Sequence, residues 1–249
     1  MSEKREGQLL RQAAIWAFVG LVLSFVGAIL AVALGAPPDI GVTDDGTATA
    51  IDIADAGSQF RLAVVGWILA IIGDVVRAWA IYVFLRGVNQ AVALLAAWWM
   101  LLHDAVFGFA LSALLLASEV VGGTGAFSDV PADQVEPLML VLLKLHYYGF
   151  NIGLLLFALH LLLNGYLVLR SEFIPKVFGI LLIIASGSYV LDVGSLLVVT
   201  DPPTWINAVI SVPAFVGEAA FVVWMLLKGS RTAPPTLDSP SETGLTRRF

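Results

Sequence analysis

The chain has 249 residues, 59% of them hydrophobic and 13% charged, with a mean hydropathy of +0.92 and a formal net charge of −6. A soluble domain carries about a quarter charged residues, so there is too little polar surface here to cover a globule in water, and the negative charge speaks against nucleic acid as a partner. Cysteine is absent, which excludes disulfides, thiolate metal sites and cysteine nucleophiles.

Long apolar runs separated by short polar stretches point to lipid as the solvent. Lipid cannot satisfy free backbone groups, so apolar runs of this length must be helical. The expected fold is all-α, an integral membrane bundle of six transmembrane helices. The spans fall at about 13–35, 62–86, 90–117, 143–169, 176–199 and 205–227, each reaching the roughly 20 residues needed to cross about 30 Å of hydrocarbon. The first run is long for a signal peptide and has no small-residue cleavage site, so it is expected to be a retained span. Residues 1–12 form an N-terminal segment, and 230–249, with Pro, Ser and Thr throughout, a disordered tail. Tight turns are expected at Arg86–Asn89 and at Ser171–Pro175, and longer Gly-, Pro- and Asp-rich loops at 37–60 and 118–136. Pro137 suits a first helical position, with 134–145 at the interface ahead of span four.

Lys and Arg set the orientation. Lys4, Arg5, Arg11, Arg86, Arg170, Lys176 and Lys228 fall on one side, whereas the other has only Arg61 and Lys144 at the membrane borders. Both termini are therefore expected in the cytoplasm. The outer loops carry acids instead, among them Asp39, Asp44, Asp45, Asp52, Asp129, Asp133, Glu136 and Asp201, which read as a solvated face.

Helices in lipid associate through small residues and polar contacts. At about 100° per residue, Gly20, Ser24, Gly27 and Ala31 form a stripe on span one. Gly66, Ala70, Gly73 and Arg77 form one on span two, with Asp74 at its edge. Span four aligns His146, Gly149, Gly153, His160 and Asn164, span five Ala185, Ser188, Asp192 and Ser195, and span six Asn207, Ser211, Ala214 and Glu218, with a kink expected at Pro213. By depth, Asp74, His103, Asp104 and Glu218 sit near the midplane, Arg77 and His160 toward the cytoplasm, and Asp192 toward the outside. His103 and Asp104 are adjacent, so on their helix they point about 100° apart and are not expected to share a partner.

An ionised group at the centre of a span costs roughly 2.5–3.5 kcal/mol to insert. Asp74, Asp104, Asp192 and Glu218 face one buried Arg77, so protons, a histidinium or a bound cation must offset the excess negative charge. Three uses of these groups stay open: interhelical hydrogen bonding and ion pairing, a ligand or proton site, and metal ligation by a histidine with Asp104, Asp192 or Glu218. Haem held by His103 and His160 is a further arrangement. There is no HExxH, no GxSxG and no phosphate-cradling loop, so the residues name no cofactor.

The run Leu145-His146-Tyr147-Tyr148-Gly149-Phe150-Asn151-Ile152, then Leu159-His160, Gly165-Tyr166-Leu167 and Arg170-Ser171, resembles the DUF4386 family of prokaryotic membrane proteins. Phe173-Ile174-Pro175, Gly187-Ser188-Tyr189-Val190-Leu191-Asp192, Gly217-Glu218 and Trp224-Met225-Leu226-Leu227-Lys228-Gly229 continue the resemblance, which spans about residues 10–229. It implies a compact multi-span bundle in the plasma membrane of a prokaryote and carries no activity with it. The expected function is non-enzymatic: a membrane protein, in contact with lipids, whose polar interior of Asp74, Arg77, His103, Asp104, His160, Asp192 and Glu218 binds an ion, proton, lipid or small apolar molecule. The alternatives are a membrane-embedded, metal-assisted lipid hydrolase and a small transporter.

Overall fold

The computed structural model describes residues 3–40, 45–198 and 205–228, and the side chains of 5–40, 45–196 and 216–228. Among the described residues there are seven α-helices, one short 3-10 turn and no strand. The helices are α1 (Glu3–Ala33), α2 (Gly46–Ala56), α3 (Ser58–Leu85), α4 (Gln90–Val121), α5 (Ala132–Arg170), α6 (Lys176–Val198) and α7 (Trp205–Leu227). Five of them, α1 and α3 to α6, are long and apolar enough to cross a membrane, and α7 is apolar over Val216–Leu227. The side chains of the expected stripe at Asn207, Ser211 and Ala214, and of Pro213, lie outside the described side chains, and the acids Asp44 and Asp201 and the tail from 230 lie outside the described residues.

Two elements differ from expectation. The loop at 37–60 contains α2, because the Asp45 carboxylate accepts a hydrogen bond from the Thr47 amide at 2.9 Å and so caps the start of an Ala- and Ile-rich turn. Gly57, at φ 49°, lets the chain reverse directly into α3. Helix α5 begins at Ala132, ahead of Pro137, and runs 39 residues, about 58 Å at 1.5 Å per residue. Pro137 lies inside it and forgoes one backbone bond, the one its missing N–H would have made to the Asp133 carbonyl. The first turn of α5 is tied to α2 by Thr47 Oγ1, which donates to Glu136 Oε2 at 2.9 Å.

The six long helices form a ring in chain order. Each packs on the next, and α7 returns against α1. The α1–α3 seam has the closest backbone approach. A Cβ on Gly20 would lie 2.5 Å from the Gly73 carbonyl oxygen, and one on Gly73 as close to that of Gly20. Gly27 and Gly66 repeat this reciprocity one heptad along, at 2.5 and 2.7 Å. The pairs 20/73 and 27/66 run in opposite directions along the chain, so the two helices are antiparallel. Glycines at 165 and 179 bring α5 and α6 together in the same way, at 2.9 Å in each direction. Lipid offers no hydrophobic drive for helix pairing, so such dispersion-rich contacts carry the assembly.

Burial separates two apolar cores along the ring. One, near the α1 N-terminus, gathers Leu21, Ala78, Phe84, Met100, Leu161 and Phe221. The other, beneath α2, gathers Ala31, Phe60, Ala70, Phe107, Leu114 and Leu143. On α1, α3 and α4 the residues between these cores include Ser24, Asp74, Arg77, His103 and Asp104, so a polar layer lies between two apolar ones. The outer surface is the reverse of a soluble protein's: Phe109 is 72% exposed, Leu191 67%, Ile29 65% and Trp98 62%. These are lipid-contacting positions.

Candidate functional site

The polar layer starts with Arg77, which is only 4% exposed. Its Nη2 donates to Asp74 Oδ1 at 2.6 Å, one helical turn away, and its Nη1 pairs with Glu218 Oε2 on α7 at 3.1 Å. The guanidinium lies 6.0 Å from the centre of the Phe157 ring on α5. Ser24, set on the close α1–α3 seam, also donates to Asp74 Oδ1, at 2.6 Å. Four helices thus meet at one guanidinium, and a pairing between neighbours on α3 becomes a tie between α1, α3 and α7.

Across from it on α4 stand His103 and Asp104, both 5% exposed. His103 packs on Phe107 and Phe157, with ring centroids 6.1 and 5.4 Å away. Its Nδ1 lies against Gly153 of α5, where a Cβ would come within 3.0 Å. No hydrogen bond ties either residue to a shared partner, but the neighbouring helix brings a third group close to both. Ligand atoms of Asp74, His103 and Asp104 all lie within 4.8 Å of one another, which no other such trio does among the described residues. The two side chains diverge on α4 but straddle the seam with α3, and each is long enough to reach back to Asp74. The layer is short of partners: His103 Nδ1, both Asp104 oxygens, Glu218 Oε1 and Arg77 Nε are buried with no hydrogen bond. Most buried polar atoms are paired, so a cluster of unpaired ones requires an explanation.

Two other expected members lie elsewhere. His160 is fully engaged: Nδ1 meets the Ala96 carbonyl on α4 at 2.8 Å, and Nε2 meets the Asn164 amide at 2.9 Å. With Nδ1–H donating and Nε2 accepting, no lone pair remains for a metal or a haem iron. Asp192 is half-buried and sits in a separate cavity of about 400 Å³, with Asp39, Tyr147, Asn151, Tyr189 and Ser195. In α6 the buried serine is Ser186, donating to the Ala158 carbonyl of α5 at 2.7 Å, whereas Ser188 bonds Ile184 of its own helix. The α6 stripe is thus rotated from the one expected. His146 is wholly buried, with Nδ1 3.3 Å from the Ala110 carbonyl.

The layer opens onto a second cavity, of about 160 Å³. Ser24, Asp74, Arg77 and His103 form its polar wall, and Phe25, Trp67, Phe107, Phe150 and Phe157 its aromatic one. Phe150 and Leu154 line both cavities and form the partition between the polar vestibule and this inner chamber. Sequence periodicity does not reveal the aromatic wall, because its rings come from four helices. Ser24 had a signal: it is the polar member of a small-residue stripe at the depth of Asp74.

The profile of the family described as a domain of unknown function (DUF4386) matches residues 16–229. The chain belongs to the DUF4386 family. An uncharacterized protein of Archaeoglobus fulgidus is 29% identical over 169 residues, covering 68% of this chain and 85% of its own. No solved structure matches. The DUF4386 match begins inside α1 and ends just past α7, so it covers every helix that builds the chamber. The apolar helices and the lipid-contacting surface of this DUF4386 chain are those of a membrane protein.

Proposed function

We propose that this DUF4386 protein spans the plasma membrane of a prokaryote six times, with α7 as the last span and both termini in the cytoplasm, and that its inner chamber binds a cation, either a proton or a metal ion. Residues 1–12 and 230–249 then flank a single transmembrane domain on its inner side. The basic residues at the Arg86, Arg170 and Lys176 turns support this orientation, as do the acids around α2 and the start of α5.

The observation that carries the cation reading is the unpaired Asp104 carboxyl beside a layer already in negative excess. Asp74, Asp104 and Glu218 face the single charge of Arg77. With all of them ionised, two negative charges remain in a largely buried layer. Such a site takes up protons or a cation, or it pays a large desolvation cost. The vestibule acids Asp39 and Asp192 lie on the approach to it and attract the same sign of charge.

The test is thermal unfolding of purified protein in nanodiscs, scanned from acid to alkaline pH and against a panel of metal chlorides. The wild type should change its unfolding temperature with pH or with metal, and Asp104→Asn should flatten that response. Identical responses from the two proteins would reduce the layer to a structural network.

Orientation is checked independently, because the chain has no cysteine of its own. A thiol introduced as Asp192→Cys should react with a membrane-impermeant maleimide on intact cells, and one introduced as Arg86→Cys only after permeabilisation. The opposite pattern would invert the topology.

A further inference from the structure

Resting on the cation reading and sharpening it, we propose that a divalent first-row transition-metal ion sits between α3 and α4 beside the chamber, ligated by Asp74, a ring nitrogen of His103 and the Asp104 carboxylate. Three independent features point to this ligand class.

The first is spacing. The three groups lie within 4.8 Å of one another, yet neither Asp104 oxygen has a hydrogen-bond partner. No hydrogen bond joins them, and their spacing is one that could hold a single ion. Metal–ligand bonds of 2.0–2.2 Å put two ligands of one ion roughly 3.3 to 4.4 Å apart. Ser24 and Arg77 both bond Asp74 through Oδ1, which leaves Oδ2 outside those bonds. Gly153 lets α5 pack against the Nδ1 edge of the imidazole, where a Cβ would come within 3.0 Å, and so fixes the ring.

The second is donor type. One imidazole nitrogen with two carboxylates suits zinc, manganese, iron or cobalt, whereas magnesium and calcium prefer an all-oxygen shell. The third is charge. The three carboxylates and Arg77 leave two negative charges, which one dication neutralises. A single monovalent ion would neutralise only half of that charge. Asp74 and His103 line the inner chamber, and Phe150 and Leu154 line both it and the vestibule that holds Asp39 and Asp192.

The experiment uses the full chain without a polyhistidine tag, stripped with a chelator and titrated with Co²⁺ in nanodiscs. Wild type should develop a visible d–d absorption band saturating at one ion per chain and displaced by Zn²⁺. Asp104→Asn and His103→Gln should each weaken Co²⁺ binding by about 100-fold or more, since loss of an outer-shell partner alone costs 10–100-fold. Asp52→Asn, on the exposed surface of α2, should leave it unchanged. X-ray absorption of the zinc-loaded wild type, which needs no variant to fold, should show a nitrogen and oxygen shell containing one imidazole.

A wild type with no band, or a zinc shell without imidazole, overturns the metal site. If the unfolding temperature then still follows pH through Asp104, protons are the cation and the wider reading stands. If neither metal nor pH separates wild type from Asp104→Asn, both fall.

Discussion

Replacing Gly73 by valine should abolish the α1–α3 seam and leave little monodisperse protein after detergent extraction. The first side-chain carbon would sit 2.5 Å from the Gly20 carbonyl oxygen and 2.6 Å from both the amide nitrogen and the hydroxyl of Ser24. Most of these contacts are with backbone, so no rotamer change relieves them, and α1 must back away from α3. Overpacking by a few methylenes costs about 1–3 kcal/mol where side chains can shift, and here the obstacle is rigid. The loss should therefore exceed that range. It should also extend to the polar layer, because Ser24 reaches Asp74 only across this seam. Gly187→Ala is the matched control. Nothing lies within 4 Å of a Cβ there, and alanine is favoured over glycine in a helix by about 1 kcal/mol. Thermal unfolding of the two variants should move in opposite directions, and a stable Gly73→Val protein would refute the close packing.

Arg77→Met should destabilise the bundle by about 3–5 kcal/mol, the usual result of removing one partner from a buried ionic network. Methionine fills much of the same volume, so lost packing is a small part of the effect. The main cost is electrostatic: Asp74 and Glu218 lose the guanidinium that bonds them at 2.6 and 3.1 Å, and α7 loses its tie to α3. Neutralising both acids in the same chain, with Asp74→Asn and Glu218→Gln, should recover a large share of the stability, since an apolar or neutral layer can equal a charged one. Equilibrium unfolding of the single and triple variants would measure both steps. A triple variant no more stable than Arg77→Met would show that the guanidinium acts through shape and not through charge.

The two predictions draw on features of different legibility. The glycines at 20, 27, 66 and 73 stand out on a helical wheel, because close approach of two helices demands small residues at helical spacing. The Asp74–Arg77 pair is legible for the same reason, being one turn apart on a single helix. Their partners were not. Asp104 and His103 were expected to diverge, since helical angle describes one helix in isolation and says nothing of the neighbour that both side chains reach. Asp192 was expected toward the outside but within the same polar interior, whereas it lines a separate cavity with Asp39 and Tyr147. His160 was a candidate ligand until Ala96 and Asn164 took both its nitrogens.

Hydropathy and run length by themselves determined the solvent and the helical class, because a backbone in lipid has no other way to satisfy its hydrogen bonds. Composition missed α2, which was read as part of a loop, and set the start of α5 too late, because a cap and an early start outweighed the Gly- and Pro-rich composition. Only the tertiary structure decided which buried charges meet. Helices that pack in a ring can rotate about their axes and slide along them without altering any pattern within a single helix. The grouping of Asp74, His103 and Asp104, with Arg77 and Glu218 beside them, follows from those rotations and offsets.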